Sequence, residues 1–306
     1  MPSPAGHEAD RFEVLDVTSW RAGGEEQLGT KPKQWLRDPA DRLWLWKAAT
    51  WNPSPSGEYR KGDDWAERVV TEIARTLAVP VATTELAERA GLLGTVSLSV
   101  LDPESERLVH GNELLAEVGV VGSDPHDRTG YTIDAVRRSL EGVAGSTAGT
   151  SAFECLTSYL IVDAVAGNTD RHQENWAVIE SPAGERRLAP SFDHASSLGF
   201  LLDDAARSSM LATSDRNQTP EAWAARAHTR FEGGPHPVEI AAAAIDMIRP
   251  DVAGAYRERL HRLDLRGILA RVPAVRMSEP AQQFAVRVAE SNRAHILSHL
   301  TRTMDP

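Results

Sequence analysis

Cysteine is nearly absent from this chain: Cys155 stands alone among 306 residues. A lone cysteine forms no internal disulfide and excludes cysteine-rich zinc sites, so the composition points to a reducing cytoplasm. Long apolar runs are missing too. No stretch approaches the ~18 consecutive apolar residues of a membrane span. Residues Met1 to Asp10 hold no apolar core of an export signal. There is no basic excess. The formal net charge is −11 and the isoelectric point is near 5.4, which argues against a broad nucleic-acid or acidic-membrane surface. Several catalytic signatures are absent: G-x-G-x-x-G, Walker A, H-E-x-x-H, C-x-x-C and G-x-S-x-G. The ten histidines are scattered. Internal repeats and long low-complexity runs are absent.

What is present supports a proper core. Hydrophobic residues make up 41% of the chain, with eight tryptophans, enough for one large domain or two lobes. The most informative segment is Gly167-Asn168-Thr169-Asp170-Arg171-His172-Gln173-Glu174-Asn175, followed after eighteen residues by Phe192-Asp193-His194. Four residues separate Asp170 from Asn175. This spacing resembles the catalytic loop of protein kinases, where the Asp positions the attacking hydroxyl and the Asn holds magnesium. Asp193 stands where a second magnesium ligand is expected.

The flanking sequence gives this spacing a geometry. Trp176 to Glu180 and Arg187 to Phe192 read as two strands around the turn Ser181-Pro182-Ala183-Gly184. Gly184 lies midway between Asn175 and Asp193, so antiparallel pairing would set the two side by side. Mg²⁺ needs few protein ligands, because water and phosphate oxygens complete its octahedron. Ahead of the motif, Ser151 and Glu154 form a capping box. The apolar run through Leu156, Tyr159, Leu160, Ile161, Val162, Ala164 and Val165 predicts a buried helix ended by Gly167. His172 either supports the loop or orients Asp170. The plainer alternative is a polar turn with local hydrogen bonds only.

The first hundred residues offer partners for a phosphate. Arg42 to Ala48 alternates as a strand, with Lys47 on the face of Leu43 and Leu45, opposite Trp44 and Trp46. Lys47 there is either snorkelling or functional. A helix follows with Asp64 as expected N-cap, Trp65, Val69, Ile73 and Leu77 on one face, and Pro80 as its bound. Glu67 in its first turn is either a cap and dipole residue or the partner of Lys47; Glu72 is the rival, or is solvated. Gly23 to Lys33 reads as a surface loop or a glycine-bearing loop over phosphates, with Gly29, Thr30, Lys31 and Lys33 as its contacts.

Together these segments resemble the HipA-like kinases. The match is carried by Gly29-Thr30-Lys31-Pro32-Lys33, Trp44-Leu45-Trp46-Lys47, Glu67 with Leu77-Ala78-Val79-Pro80, Leu108 to Glu113, Asn168 to Asn175, and Leu188 to Asp193. It runs from about Gly29 to about Leu202. The resemblance implies an α+β, bilobed protein-kinase-like fold, with a strand-rich N-lobe over residues 1–110 and a mainly helical C-lobe over 111–306. It implies ATP and Mg²⁺ as cofactors and a protein Ser/Thr as acceptor. Asp170 would be the base, Lys47 the phosphate-binding lysine, and Asn175 and Asp193 the metal ligands. An antitoxin-like partner goes with the family. The catalytic loop is also similar to that of phosphatidylinositol kinases, so a lipid acceptor stays open, as do a nucleotide-binding pseudokinase and AMP transfer. HipA toxins carry an extra N-terminal subdomain, which the early phosphate loop here leaves no room for, and an autophosphorylated serine where this loop offers Thr30. The toxin role is therefore not carried over.

Three further expectations concern the rest of the chain. A hinge, with adenine beside it, is expected near His110 to Asn112. Helices are expected through Ile133 to Leu140, Pro237 to Ile248, Val252 to Leu263 and Glu279 to Leu300, the last with Ser278 as N-cap. Ala205 to Gly234 reads as polar and loop-rich, near the acceptor groove.

Overall fold

Alternating tryptophans organise the first part of the fold. In the computed structural model, which describes residues 11–25, 33–54, 57–120 and 128–304, Trp44 and Trp46 are buried with Leu36, Ala87 and Val96. They lie on β4 (Leu43–Ala48), which follows β1 (Val14–Asp16), β2 (Arg21–Glu25) and β3 (Lys33–Arg37). After the small hairpin β5 (Trp51–Ser54) and β6 (Gly57–Arg60) comes helix α1 (Asp63–Thr76), then β7 (Thr84–Arg89) and β8 (Leu92–Leu98). Among the described residues six strands form one sheet, ordered β1-β7-β8-β4-β3-β2. Lys47 pairs with Lys33 across β3 and β4, and with Thr95 across β8.

The second part is mainly helical. β9 (Arg107–His110) leads into α2 (Gly111–Glu117), α3 (Ile133–Ser139) and α4 (Ala152–Ala166). The hairpin β10 (Ala177–Glu180) and β11 (Arg186–Leu188) pairs with β9 in a second sheet. Helices α5 (Asp204–Ala212), α6 (Pro220–Ala224), α7 (Pro237–Ile245), α8 (Pro250–Arg262), α9 (Leu265–Ala270) and α10 (Glu279–Met304) complete the chain. The expected α+β, strand-then-helix organisation is the one observed. No described helix is long and apolar enough to cross a membrane.

Every residue of α4 is buried. Its capping box forms as the sequence predicts, Glu154 N donating to Ser151 Oγ at 3.2 Å and Ser151 N to Glu154 Oε2 at 2.8 Å. Gly167 ends it at φ 64, a left-handed conformation that glycine adopts at no steric cost. One hydrophobic cluster joins α1, α4 and α10 through Trp65, Ile73, Leu160, Ala285 and Ile296. The catalytic-loop candidate thus hangs from the most deeply embedded element of the fold.

Four sequence expectations are corrected. The N-cap of α1 is Gly62 and not Asp64, which lies inside the helix and pairs with Arg60 and Arg276. Glu67, past the first turn, is no cap residue. Ala205 to Gly234 is built largely from α5, a 3₁₀ turn (Arg216–Gln218) and α6, because Asp203 and Thr219 cap short helices. In the β10–β11 hairpin Val178 faces Leu188, so the register is shifted by two residues and, extended, sets Asn175 opposite Ser191. The reason is the turn, which closes between Ser181 and Glu185. The long helices fare well: Ser278 Oγ accepts from Ala281 N at 3.3 Å, and Phe284, Val288 and Ile296 are fully buried.

The burial of α4 predicts two graded losses. Leu160→Ala should destabilise by about 2–5 kcal/mol through the cavity it leaves. Ser151→Ala should cost about 1 kcal/mol through the lost cap. Urea denaturation of both variants tests the order; equal losses would deny α4 its place at the centre of the core.

Candidate functional site

The cleft between the two parts is lined by Lys33, Lys47, Asp170, His172, Asn175 and Asp193, with Glu67, Asp63 and Asp64 from α1. These include every sequence-derived candidate except the rival Glu72 and except Gly29, Thr30 and Lys31, which lie outside the described residues. Lys47 does not snorkel. Its Nζ lies 3.0 Å from Asp193 Oδ1, across 146 residues of chain. Lys33, its cross-strand neighbour, lines the same cleft.

Glu67 is buried and lines the same cleft, where its bonds go to His194. Its carboxylate accepts from the backbone N of His194 at 2.7 Å and sits 3.3 Å from His194 Nδ1. The glutamate on α1 therefore positions the Asp193–His194 peptide. Glu72, the rival, is half-buried and bonded to Arg68 and Arg271 at 2.8 and 2.7 Å.

The loop after α4 is held by a residue that the sequence reading passed over. Arg171 is 2% exposed. Its Nε and Nη2 donate to Asp163 at 2.7 and 2.9 Å. The same guanidinium donates to the carbonyls of Asn175 and Phe192 and to Ser191 Oγ. Burial disfavours its charge, and the field and hydrogen bonds of Asp163 together overturn that, so its proton is held more tightly than usual. Ser191 Oγ lies 2.7 Å from His194 Nε2, which continues the network to Glu67. Tyr131 donates from its hydroxyl to the Arg171 carbonyl at 3.1 Å and stacks on Phe231. The only early signal of this network was Asp163, an acid inside an otherwise apolar helix, which demands a partner.

Asp170 is reached by another overlooked residue. Arg230 Nε lies 2.8 Å from Asp170 Oδ1, and Ser196 Oγ lies 3.5 Å from Oδ2. His172 does not orient this carboxylate; its Nδ1 accepts from Glu174 N at 3.2 Å, a local bond that supports the loop. Burial pushes its proton affinity below the ordinary imidazole value, against the opposing fields of Asp170 and Glu174. The segment marked as a hinge is tied to this loop: Gly111 N donates to Trp176 O and Asn112 N to Gln173 O, both at 3.0 Å.

The donor set suits a hard cation. Asn175 Nδ2 donates to Asp170 O at 2.7 Å, which leaves the amide oxygen as its ligating atom. Asp193 adopts φ 59, a left-handed conformation that is uncommon outside glycine and that aspartate tolerates better than most residues. Among the described residues no group of three His, Cys, Asp or Glu side chains could hold a metal. The pair fits Mg²⁺, whose remaining ligands are water and phosphate.

A bilobed fold with a lysine strand, an acidic helix and this loop defines a protein-kinase-like protein. Residues 27–256 match the HipA-like C-terminal domain, and the chain belongs to that family. The Helicobacter pylori proinflammatory kinase CtkA has the same fold at TM-score 0.72 and 18% identity, over 96% of this chain and 99% of that one. HipA of Shewanella oneidensis MR-1, solved with HipB and its operator DNA, is similar at TM-score 0.53 and 12% identity, over 95% and 67%. No curated protein matches.

The Arg171 network makes a double prediction. Arg171→Met should destabilise by about 3–5 kcal/mol, since it leaves Asp163 buried and unpaired. Adding Asp163→Leu should restore part of that loss. Equilibrium unfolding of the two single variants and the double variant measures the coupling; additive losses would show that the pair is not coupled.

Proposed function

We propose that the chain is an ATP- and Mg²⁺-dependent kinase that transfers the γ-phosphoryl group to a Ser or Thr hydroxyl of a protein in the cytoplasm. The observation that carries this reading is the meeting of Lys47, from a strand far away in sequence, with Asp170, Asn175 and Asp193 in one cleft. The same reading divides the chain into lobes at residues 110 and 111. Gly29, Thr30 and Lys31 belong to it as the loop over the phosphates.

Each residue then has a role. Lys47 and Lys33 supply positive charge for the phosphates. Asn175 and Asp193 would hold Mg²⁺, which neutralises charge on the phosphate oxygens when bound. Glu67 keeps the Asp193 peptide in place through His194. Asp170 orients the acceptor hydroxyl and takes its proton. The acceptor oxygen bonds to the γ-phosphorus, the bond from that phosphorus to the bridging oxygen breaks, and ADP leaves. Arg171 and His172 shape the loop that presents Asp170. HipA is recorded with the protein HipB, and an antitoxin-like partner is an extension of this reading.

Incubation with γ-labelled ATP, cell protein and phosphatidylinositol vesicles tests the class. Label in protein supports the proposal; label in lipid transfers it to lipid kinases; binding without turnover makes the chain a pseudokinase. α-Labelled ATP reveals AMP transfer.

Substitutions separate the roles. Asp170→Asn should lower kcat by about 10²–10⁴-fold, the usual range for a lost general base, and leave nucleotide affinity nearly unchanged. Asp193→Ala should remove the Mg²⁺-dependent part of ATP binding measured by calorimetry. Lys47→Met should keep the fold and weaken turnover strongly. A fully active Lys47→Met protein, or ATP binding with equal affinity in EDTA, would refute the assignment.

A further inference from the structure

Beside Asp170 a second cavity opens, with a volume of about 200 Å³. It is lined by Gly167, Gly199, Phe200, Leu201, Trp223 and Arg226. It shares Ser196 with the catalytic cleft, and the Ser196 hydroxyl lies 3.5 Å from Asp170 Oδ2. Thr169, the residue before Asp170, lines it as well.

The cavity is built and not incidental. Trp223 stands edge-on to Phe284, with ring centroids 5.3 Å apart, and Phe284 is fully buried, so the indole is held in place. Gly199 has φ 72, and a Cβ there would come within 2.5 Å of Phe284; the close backbone approach requires glycine. Leu201 is 47% exposed, unusual for a large apolar side chain and significant beside a candidate catalytic loop. Arg226 is exposed and donates to Asn217 O at 3.0 Å, which anchors it at this site. In a chain of net charge −11, Arg226 and Arg230 place two cations next to the acceptor side of Asp170.

We propose that this cavity is the acceptor-peptide subsite: with the Ser or Thr hydroxyl at Asp170, a large apolar side chain flanking the acceptor seats against Phe200, Leu201 and Trp223, and an acidic side chain of the same peptide pairs with Arg226. The inference rests on the phosphotransfer reading above and names its substrate class. A peptide fits better than an inositol headgroup. The headgroup is a polyol and brings no apolar group to the level of its hydroxyl, so the apolar walls would stay unfilled.

The test uses the full chain, labelled ATP and three serine peptides. One carries Leu and Glu beside the serine, one has Gly for Leu, and one has Lys for Glu. Phosphatidylinositol vesicles serve as the fourth substrate. The first peptide should exceed the Gly peptide by about 10–100-fold in kcat/KM, the range for burying one large apolar side chain. Arg226→Glu, at an exposed position, should invert the ratio of the Glu to the Lys peptide. Trp223→Leu should shrink the advantage of the Leu peptide over the Gly peptide. Equal use of all three peptides, with ratios unmoved by Arg226→Glu, overturns the subsite while leaving the kinase reading in place. Transfer to vesicles alone, or to nothing, overturns both.

Discussion

The buried pair of Asp163 and Arg171 is the constraint on which the site depends. Asp163 sits in the last turn of α4, a helix buried on every side. An isolated carboxylate there would be intolerable, and its pairing with Arg171 converts that liability into an anchor. Arg171 is then committed in direction, because both of its bonds to Asp163 use one edge of a rigid fork. The remaining donors reach Asn175, Ser191 and Phe192. One side chain therefore ties the catalytic-loop candidate to the segment that carries Asp193. The spacing of Asp170, Asn175 and Asp193 in the sequence matters only because this hub folds it into one place.

A second chain of contacts ties the site to the strand-rich lobe. Ser191, His194 and Glu67 run from the Arg171 guanidinium to α1. The kinase pattern suggests that a glutamate here should pair with the strand lysine. The structure instead gives Lys47 to Asp193 and Glu67 to His194. In this arrangement the lysine strand and the helix are both fastened to the Asp193–His194 segment. Both contacts converge on the left-handed turn at Asp193.

Sequence periodicity captured what short-range rules control. The Ser151–Glu154 cap, the Gly167 end, the alternation of Trp44 and Trp46, and the four-residue spacing of Trp65, Val69, Ile73 and Leu77 are all local, and the structure shows each of them. The local rules failed where long-range partners decide. Asp64 looks like an N-cap, but Arg60 and Arg276 draw it into the buried helix start. The hairpin register could not be placed to better than two residues, because the turn Ser181 to Glu185 and the pairing with β9 jointly fix it. Residues 205–234 looked loop-like because their helices are short and polar, and their purpose lies in distant contacts such as Arg230 with Asp170. Arg171 was within the motif but gave no sign of its role, since a buried Asp163 demands a partner without naming which residue supplies it.

The charges lining the cleft bear on how it would receive a nucleotide on the proposed reading. Five carboxylates, from Asp63, Asp64, Glu67, Asp170 and Asp193, line it with two lysines, Lys33 and Lys47. Like charges directly opposite on paired strands destabilise a sheet, so Lys33 and Lys47 gain from an anion between them. Four of the carboxylates already have partners, Asp64 in Arg60 and Arg276, Asp170 in Arg230, Glu67 in His194 and Asp193 in Lys47, so drawing Lys47 to an anion requires a new cation for Asp193. On the proposed reading both demands are met when the phosphates enter with a divalent cation: the lysines face the phosphates, and Asp193 gains a cationic partner in exchange for Lys47. The Lys47–Asp193 pair is 19% and 31% exposed, so it is neither locked by burial nor dissolved by solvent. An ion pair in that intermediate setting exchanges partners at a modest cost. The pair that joins the lysine strand to Asp193 is thus also the pair best placed to admit a cation.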